Sequence, residues 1–172
     1  MALTLVATAG ASNANSYATV SDGNTYHEAH LYADTWNEAS ATQQAQALVW
    51  ATRMLDDHFD WIGTVASQTQ ALRWPRIGAY DRDGRLLSSS TIPTALVHAT
   101  AELARSLLTS DPTDTSTDSG AVQYVTVGTI AVRYASGTVA TPTVIADSVQ
   151  DMLSHLGTYR SGTSGAITMR RG

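Results

Sequence analysis

Residues 40–59 read SATQQAQALVWATRMLDDHF and form the clearest helical pattern in the chain. Ser40, followed three positions later by Gln43, is a capping box, in which each side chain satisfies a backbone N–H at the start of a helix. Apolar residues then recur at the spacing of one helical face: Ala47, Leu48, Ala51, Met54, Leu55 and Phe59. The stretch therefore predicts an amphipathic helix that packs against a core.

Three further helices are predicted around this one, each from an apolar stripe and a capping or proline signal. They lie at residues 19–32, at 91–110 with Pro93 near the start, and from Pro142 to Leu156, with Gly157 at the C-cap position. Residues 34–39 are expected to be a connection. Residues 2–7 are expected to be a strand or an extended arm.

The fold class predicted from these patterns is mainly α, a small bundle of about four helices with a β-hairpin. The hairpin is expected at residues 122–134, which alternate in period two about a turn at Val127 and Gly128. Residues 60–90 form an irregular Trp/Arg-rich loop, and long ordered loops are usually functional. We place one domain at residues 1–157 and a flexible, extended C-terminal tail at residues 158–172, where Gly, Ser and Thr are frequent.

Composition excludes several classes of function. The chain has no Cys, which removes disulfides, thiolate metal sites and Cys nucleophiles. It has no Lys, which removes P-loop and Schiff-base chemistry. No nucleophile elbow or glycine-rich phosphate loop is present, so we expect no enzymatic activity and no cofactor. The formal net charge of −5 is a poor match for general phosphate binding. No apolar run reaches the length of a membrane span, and we expect no membrane partner.

Three local patterns resemble chemical sites. His27 and His30 lie three apart on a predicted helix, but no third metal ligand accompanies them. The segment from Asp81 to Gly84 resembles the start of a calcium loop but lacks the acceptor and glycine that such a loop needs next, so a β-turn is expected. The aspartates at positions 56, 57 and 60 are expected to form a solvated or ion-paired face. We therefore predict no catalytic residue and no metal site.

One cluster combines arginine with aromatic side chains, as protein interfaces and single-stranded-DNA sites both do. Its members are Trp61, Arg73, Trp74, Arg76, Tyr80, Arg82 and Arg85. Asp81 and Asp83 offset part of its charge, which favours a protein interface over nucleic acid. Trp74 is predicted to be an anchor, because Pro75 fixes the backbone beside it.

Several short stretches together resemble a family of phage and prophage proteins often labelled DnaT-like single-stranded-DNA-binding, which resemble head-to-tail connector adaptors. The resemblance covers roughly residues 1–157. Its more specific motifs are Trp74-Pro75-Arg76 and Asp81-Arg82-Asp83-Gly84. The weaker ones are Asn13-Ala14-Asn15-Ser16-Tyr17, Ala51-Thr52-Arg53-Met54-Leu55-Asp56, Phe59-Asp60-Trp61-Ile62-Gly63 and Ala99-Thr100-Ala101-Glu102-Leu103-Ala104. Residues 113–120 and those after Gly157 have no counterpart in the pattern.

The resemblance implies a structural adaptor of a tailed-phage virion, located in the neck between head and tail and assembled in the host cytoplasm. Its implied partners are the portal protein, copies of itself in a ring expected to be twelvefold, and the next tail or stopper protein. Double-stranded DNA would pass through the channel without specific binding. We expect the tail to dock on the portal through Ile167, Met169, Arg170 and Arg171. The alternatives are a single-stranded-DNA-binding module and another minor capsid or tail-completion protein.

Overall fold

The computed structural model describes residues 3–113 and 144–160 in full, and the backbone of residues 124–127 and 130–133. Within these residues the chain forms five helices: α1 (Val20–Glu28), α2 (Asp34–Glu38), α3 (Ala41–His58), α4 (Thr94–Leu107) and α5 (Asp147–Leu153). It also forms six short strands: β1 (Phe59–Trp61), β2 (Thr64–Val65), β3 (Arg76–Ile77), β4 (Tyr124–Val127), β5 (Ile130–Arg133) and β6 (Gly157–Tyr159). The mainly α fold class is confirmed.

The core lies between α3 and α4, with α1 and α5 packed against α4. The predicted capping box of α3 is present, with Ser40 and Gln43 each accepting from the other's backbone N–H. The helix buries the apolar face that its spacing predicts, and Leu48 and Leu55 are fully inaccessible to solvent. α4 buries Leu96 and Leu103 in the same cluster. Two amphipathic faces thus meet along a shared core, as their sequence pattern predicts.

The first predicted helix is shorter than expected, and the connection after it contains a helix of its own. α1 ends at Glu28, and α2 occupies part of the segment that we expected to be a connection. α2 places Trp36 in the core, where its indole N–H donates to the side-chain oxygen of Asn24 at 2.9 Å. An added Cβ at Gly23 would lie 2.5 Å from the Trp36 ring. Burial of one large aromatic ring thus explains an element that polar local sequence does not signal.

The C-terminal part of the fold differs from the prediction in two ways. α5 begins at Asp147, later than Pro142 suggested. Gly157 is not a helix cap but the first residue of β6, which pairs antiparallel with β1 so that Trp61 lies opposite Gly157. The main-chain carbonyl of Asp60 lies too close to Gly157 for a Cβ. Because Thr158 and Tyr159 belong to this sheet, the folded region extends beyond the predicted boundary at residue 157.

The predicted hairpin is present as β4 and β5, which pair antiparallel from Tyr124 opposite Arg133 to Val127 opposite Ile130. Residues 3–8 form no strand, and the Val6 N–H donates to the Asn15 side chain at 2.8 Å. The predicted docking residues of the tail, Ile167, Met169, Arg170 and Arg171, lie outside the described residues.

Candidate functional site

The structure divides the predicted arginine–aromatic cluster into two groups. The inner group surrounds the end of α3 and comprises Trp61, Arg73, Trp74 and Arg76. The outer group lies on the turn at residues 80–86, hereafter the outer turn, and comprises Tyr80, Arg82 and Arg85. Each group is held by a different part of the fold, so the seven residues do not form one continuous basic surface.

Asp56, near the C-terminal end of α3, organises the inner group. Its Oδ1 accepts a hydrogen bond from the Tyr17 hydroxyl at 2.5 Å and another from the Trp61 indole at 3.2 Å. Its Oδ2 accepts from the backbone N–H of Arg73 at 3.2 Å. One carboxylate thus ties the N-terminal segment, β1 and the Trp/Arg loop to α3. Asp57 and Asp60 fit the expected solvated or ion-paired face, since both are exposed and Oδ1 of Asp60 lies 3.5 Å from Nε of Arg160, whereas Asp56 departs from it.

Burial raises the pKa of Asp56 above its ordinary value of 3.8, against the opposing effect of its hydrogen-bond donors. A raised pKa means that folding favours the protonated carboxyl. The contribution of Asp56 to stability is therefore full below the unfolded pKa and is lost as the pH rises through the folded pKa.

We expect wild-type protein to gain free energy of unfolding, relative to Asp56→Asn, as the pH falls from neutral to about 4, the usual range of carboxyl groups. The asparagine variant does not titrate at this position, so the difference between the two proteins isolates Asp56. Urea unfolding at a series of pH values measures it. A difference that is constant with pH, or that shrinks towards acid, would contradict the expectation.

Arg76 and Trp74 are buried within the chain and support the loop rather than presenting a surface. The Arg76 guanidinium donates to the carbonyl oxygens of Ile62 and Gly63, both at 2.6 Å, and to that of Arg73 at 3.1 Å. Burial lowers the pKa of Arg76. Trp74 is only 1% exposed and packs edge-on against Trp61. The prediction that Trp74 is an anchor fits its burial in the core.

The outer turn is attached to α5 through Arg82. Its guanidinium donates to the carbonyl oxygen of Asp151 at 2.6 Å and to Nδ1 of His155 at 3.3 Å. Arg85 forms ion pairs with Asp81, at 3.4 Å, and with Asp83. The guanidinium groups of the outer turn are therefore engaged by acceptors of the chain itself.

The β-turn predicted from Asp81 to Gly84, in place of a calcium loop, is confirmed. The N–H of Gly84 donates to the carbonyl of Asp81 at 3.1 Å, and the Asp81 side chain accepts from two backbone N–H groups of the turn. Tyr80 and Leu86 face each other across an antiparallel bridge, and they are 51% and 65% exposed. The turn thus presents two adjacent apolar side chains to solvent.

Beside the inner group lies a small polar cavity of about 240 Å³, hereafter the arginine cleft. It is lined by Asp56, Phe59, Asp60, Trp61, Arg73, Arg76 and Arg160. Arg160 follows β6 and donates to the carbonyl of Asp57. The contribution of Arg160 was not predicted, because only the pairing of β6 with β1 brings a residue so distant in sequence to this cavity.

All 172 residues match the family model described as "Putative DnaT-like ssDNA binding protein". The chain belongs to this family. No curated protein and no solved structure matches the chain. The DnaT-like family expected from the sequence motifs is thus confirmed. Its description supports the single-stranded-DNA-binding alternative more directly than the phage connector, which these comparisons do not address.

Neither a metal-binding group nor a membrane-spanning helix is found among the described residues of this DnaT-like chain. His27 is buried and its Nε2 lies 3.1 Å from the carbonyl of Ala101, which makes it a core histidine. Among the described residues no group of three His, Cys, Asp or Glu side chains could hold a metal ion. No helix in the described ranges is long and apolar enough to cross a membrane.

Proposed function

We propose that this DnaT-like protein is a non-enzymatic structural subunit that works by docking on other proteins, as one subunit of the ring joining portal and tail in a tailed phage. The observation that carries the proposal is the outer turn, where Tyr80 and Leu86 are adjacent and exposed while Arg82 attaches the turn to α5. Exposed apolar side chains on a fixed element are typical of protein interfaces.

The charge of the outer turn supports the same proposal. Arg85 is balanced by two aspartates, and Arg82 is directed at the carbonyl end of α5, where a cation is stabilised by the helix dipole. Nucleic acid binding is dominated by cations that neutralise phosphates. Because the arginines of the outer turn already pair with groups of the chain, the turn offers a partner apolar contacts rather than free cations.

We expect the double variant Tyr80→Ser/Leu86→Ser to lose portal binding while keeping its fold, because both side chains are exposed. Loss of one interface hot spot costs about 2 kcal/mol or more, which corresponds to at least about a thirtyfold weaker Kd. Co-purification with portal, followed by titration, measures the loss. The matched control is Leu31→Ser, which removes a side chain that is 90% exposed on the α1–α2 connection. Equal portal binding by the double variant and the control would show that the outer turn is not part of the portal interface.

Single-stranded-DNA binding is the second candidate function, and the family match favours it. The net charge of −5 and the absence of Lys oppose it. Another minor capsid or tail-completion role in the same virion would use the same docking surfaces and is distinguished by which virion protein co-purifies.

We expect labelled oligo-dT to bind weakly, with no saturation below the micromolar range, at about 0.1 M salt, where the Debye length is ~10 Å. Fluorescence anisotropy measures the affinity, and a salt series reports how many phosphates are contacted. Sub-micromolar binding that weakens steeply with salt would reverse the order of the two candidate functions.

A further inference from the structure

We propose that the arginine cleft binds one carboxylate group of a docking protein, with the exposed guanidinium of Arg73 as its charged donor. This inference rests on the proposed function, since it supplies a second contact for a protein partner beside the outer turn. An arginine fork matches a carboxylate in a planar, bidentate arrangement, which gives both strength and direction to the contact.

The charges that line the cleft leave one positive charge without a counterion. The lining includes the guanidinium groups of Arg73, Arg76 and Arg160, and the carboxylates of Asp56 and Asp60. With all five ionised, the sum is three positive minus two negative charges, or one positive charge. An incoming group with a single negative charge would neutralise the cleft.

Both carboxylates of the cleft are already engaged. Asp60 lies 3.5 Å from Nε of Arg160, and Asp56 accepts hydrogen bonds from Tyr17, Trp61 and the backbone of Arg73. Neither carboxylate lies within ion-pair distance of the Arg73 guanidinium among the described residues. They neutralise the cleft only in part and leave the Arg73 donors available.

The three arginines differ in how many donors they can offer. Arg76 is buried, and carbonyl oxygens accept from all three of its guanidinium nitrogens. Arg160 forms an ion pair with Asp60 and donates a hydrogen bond to the carbonyl of Asp57. The Arg73 side chain is exposed and makes no hydrogen bond with any described residue. Burial is the main cause that lowers the pKa of Arg76, and the positive charge of Arg73 lowers it further, so the two like charges repel each other.

A carboxylate fits this cleft better than a strand of nucleic acid does. The cleft has room for a small group, at about 240 Å³, and one uncompensated charge. Nucleic acid requires a series of cations that follow successive phosphates. The next arginines along the loop, Arg82 and Arg85, are engaged by α5 and by aspartates. One acidic side chain from a protein partner would neutralise the single available positive charge, and its binding requires no further cations.

The test is an NMR titration of the full chain that follows the arginine Nε–Hε resonances. The ligand is N-acetylglutamate amide, and the uncharged control is N-acetylglutamine amide at matched ionic strength. We expect saturable shifts for Arg73 and Arg76 in the millimolar range with the acid only. Arg53, exposed on α3 and without an ion pair in the described part of the chain, serves as the internal reference and should not shift.

Two variants complete the test. We expect Arg73→Gln to weaken binding at least about tenfold, the loss of one charge-assisted hydrogen bond, and Arg53→Gln to leave it unchanged. Equal shifts at Arg53, or equal responses to acid and amide, would overturn the proposal. Tighter, salt-sensitive binding of oligo-dT at the same resonances would also overturn it and assign the cleft to nucleic acid. Portal binding that persists in Arg73→Gln while the titration fails would refute the cleft and leave the proposed docking function intact.

Discussion

Replacing Trp74 with alanine is expected to lower the free energy of unfolding by about 3–5 kcal/mol, the usual cost of truncating a large buried aromatic side chain. The ring is 1% exposed and packs edge-on against Trp61, with ring centroids 5.9 Å apart. Truncation would leave a cavity at the base of the loop, next to the hydrogen bonds of Asp56. Urea unfolding at neutral pH measures the loss, which is a large share of the 5–15 kcal/mol of a typical domain.

Trp74→Phe is the matched control for this prediction. It keeps an aromatic ring in the core and removes an indole N–H that has no acceptor among the described residues. We expect it to cost clearly less than alanine, because no hydrogen bond is lost and part of the volume remains filled. Equal destabilisation by phenylalanine and alanine would show that the ring volume is not the source of the stability.

Replacing Arg76 with alanine is the second large expected effect, a loss of about 3 kcal/mol or more in the free energy of unfolding. The guanidinium donates to the carbonyl oxygens of Ile62, Gly63 and Arg73, and hydrogen bonds to charged groups each contribute about 1.5–3 kcal/mol without being additive. Removing the donor leaves buried carbonyls without a partner. We expect the loop to loosen together with the loss of stability.

Arg76→Lys distinguishes the geometry of the side chain from its charge. A lysine ammonium is a point charge and cannot donate in three fixed directions as the guanidinium does. We therefore expect the lysine variant to recover only a small part of the loss, measured by urea unfolding and by proteolysis of residues 60–90. Full recovery by lysine would mean that the positive charge alone, and not the fork of donors, stabilises the loop.

The elements that sequence predicts well are those whose own side chains determine them. The capping box at Ser40 and the stripe that follows place α3 correctly, because both signals are local. α2 was missed because its stability comes from Trp36 packing in the core and not from the polar residues around it. The prediction of a helix cap at Gly157 is wrong because the pairing of β6 with β1 is a long-range contact without a local signal.

The candidate site shows the same division between local and long-range information. Composition identifies an arginine–aromatic cluster, and the turn at Asp81 follows from its own sequence. The sequence does not reveal that Arg76 donates to main-chain carbonyls or that Arg82 donates to α5. The sequence predicts Asp56 on a solvated or ion-paired face, yet it accepts from Tyr17, which is 39 positions away in the chain. Contacts of this kind depend on tertiary packing.

The pairing of β1 with β6 has a consequence for synthesis of the chain on the ribosome. Asp60 lies opposite Thr158, and 158 − 60 gives a separation of 98 residues. At about 5–20 residues per second, translation takes roughly 5–20 s to produce the partner of β1. During that delay β1 lacks its neighbour, and the arginine cleft lacks Arg160. A chain must therefore be extended past Arg160 before the cleft is finished, which delays the proposed docking until that residue has been made.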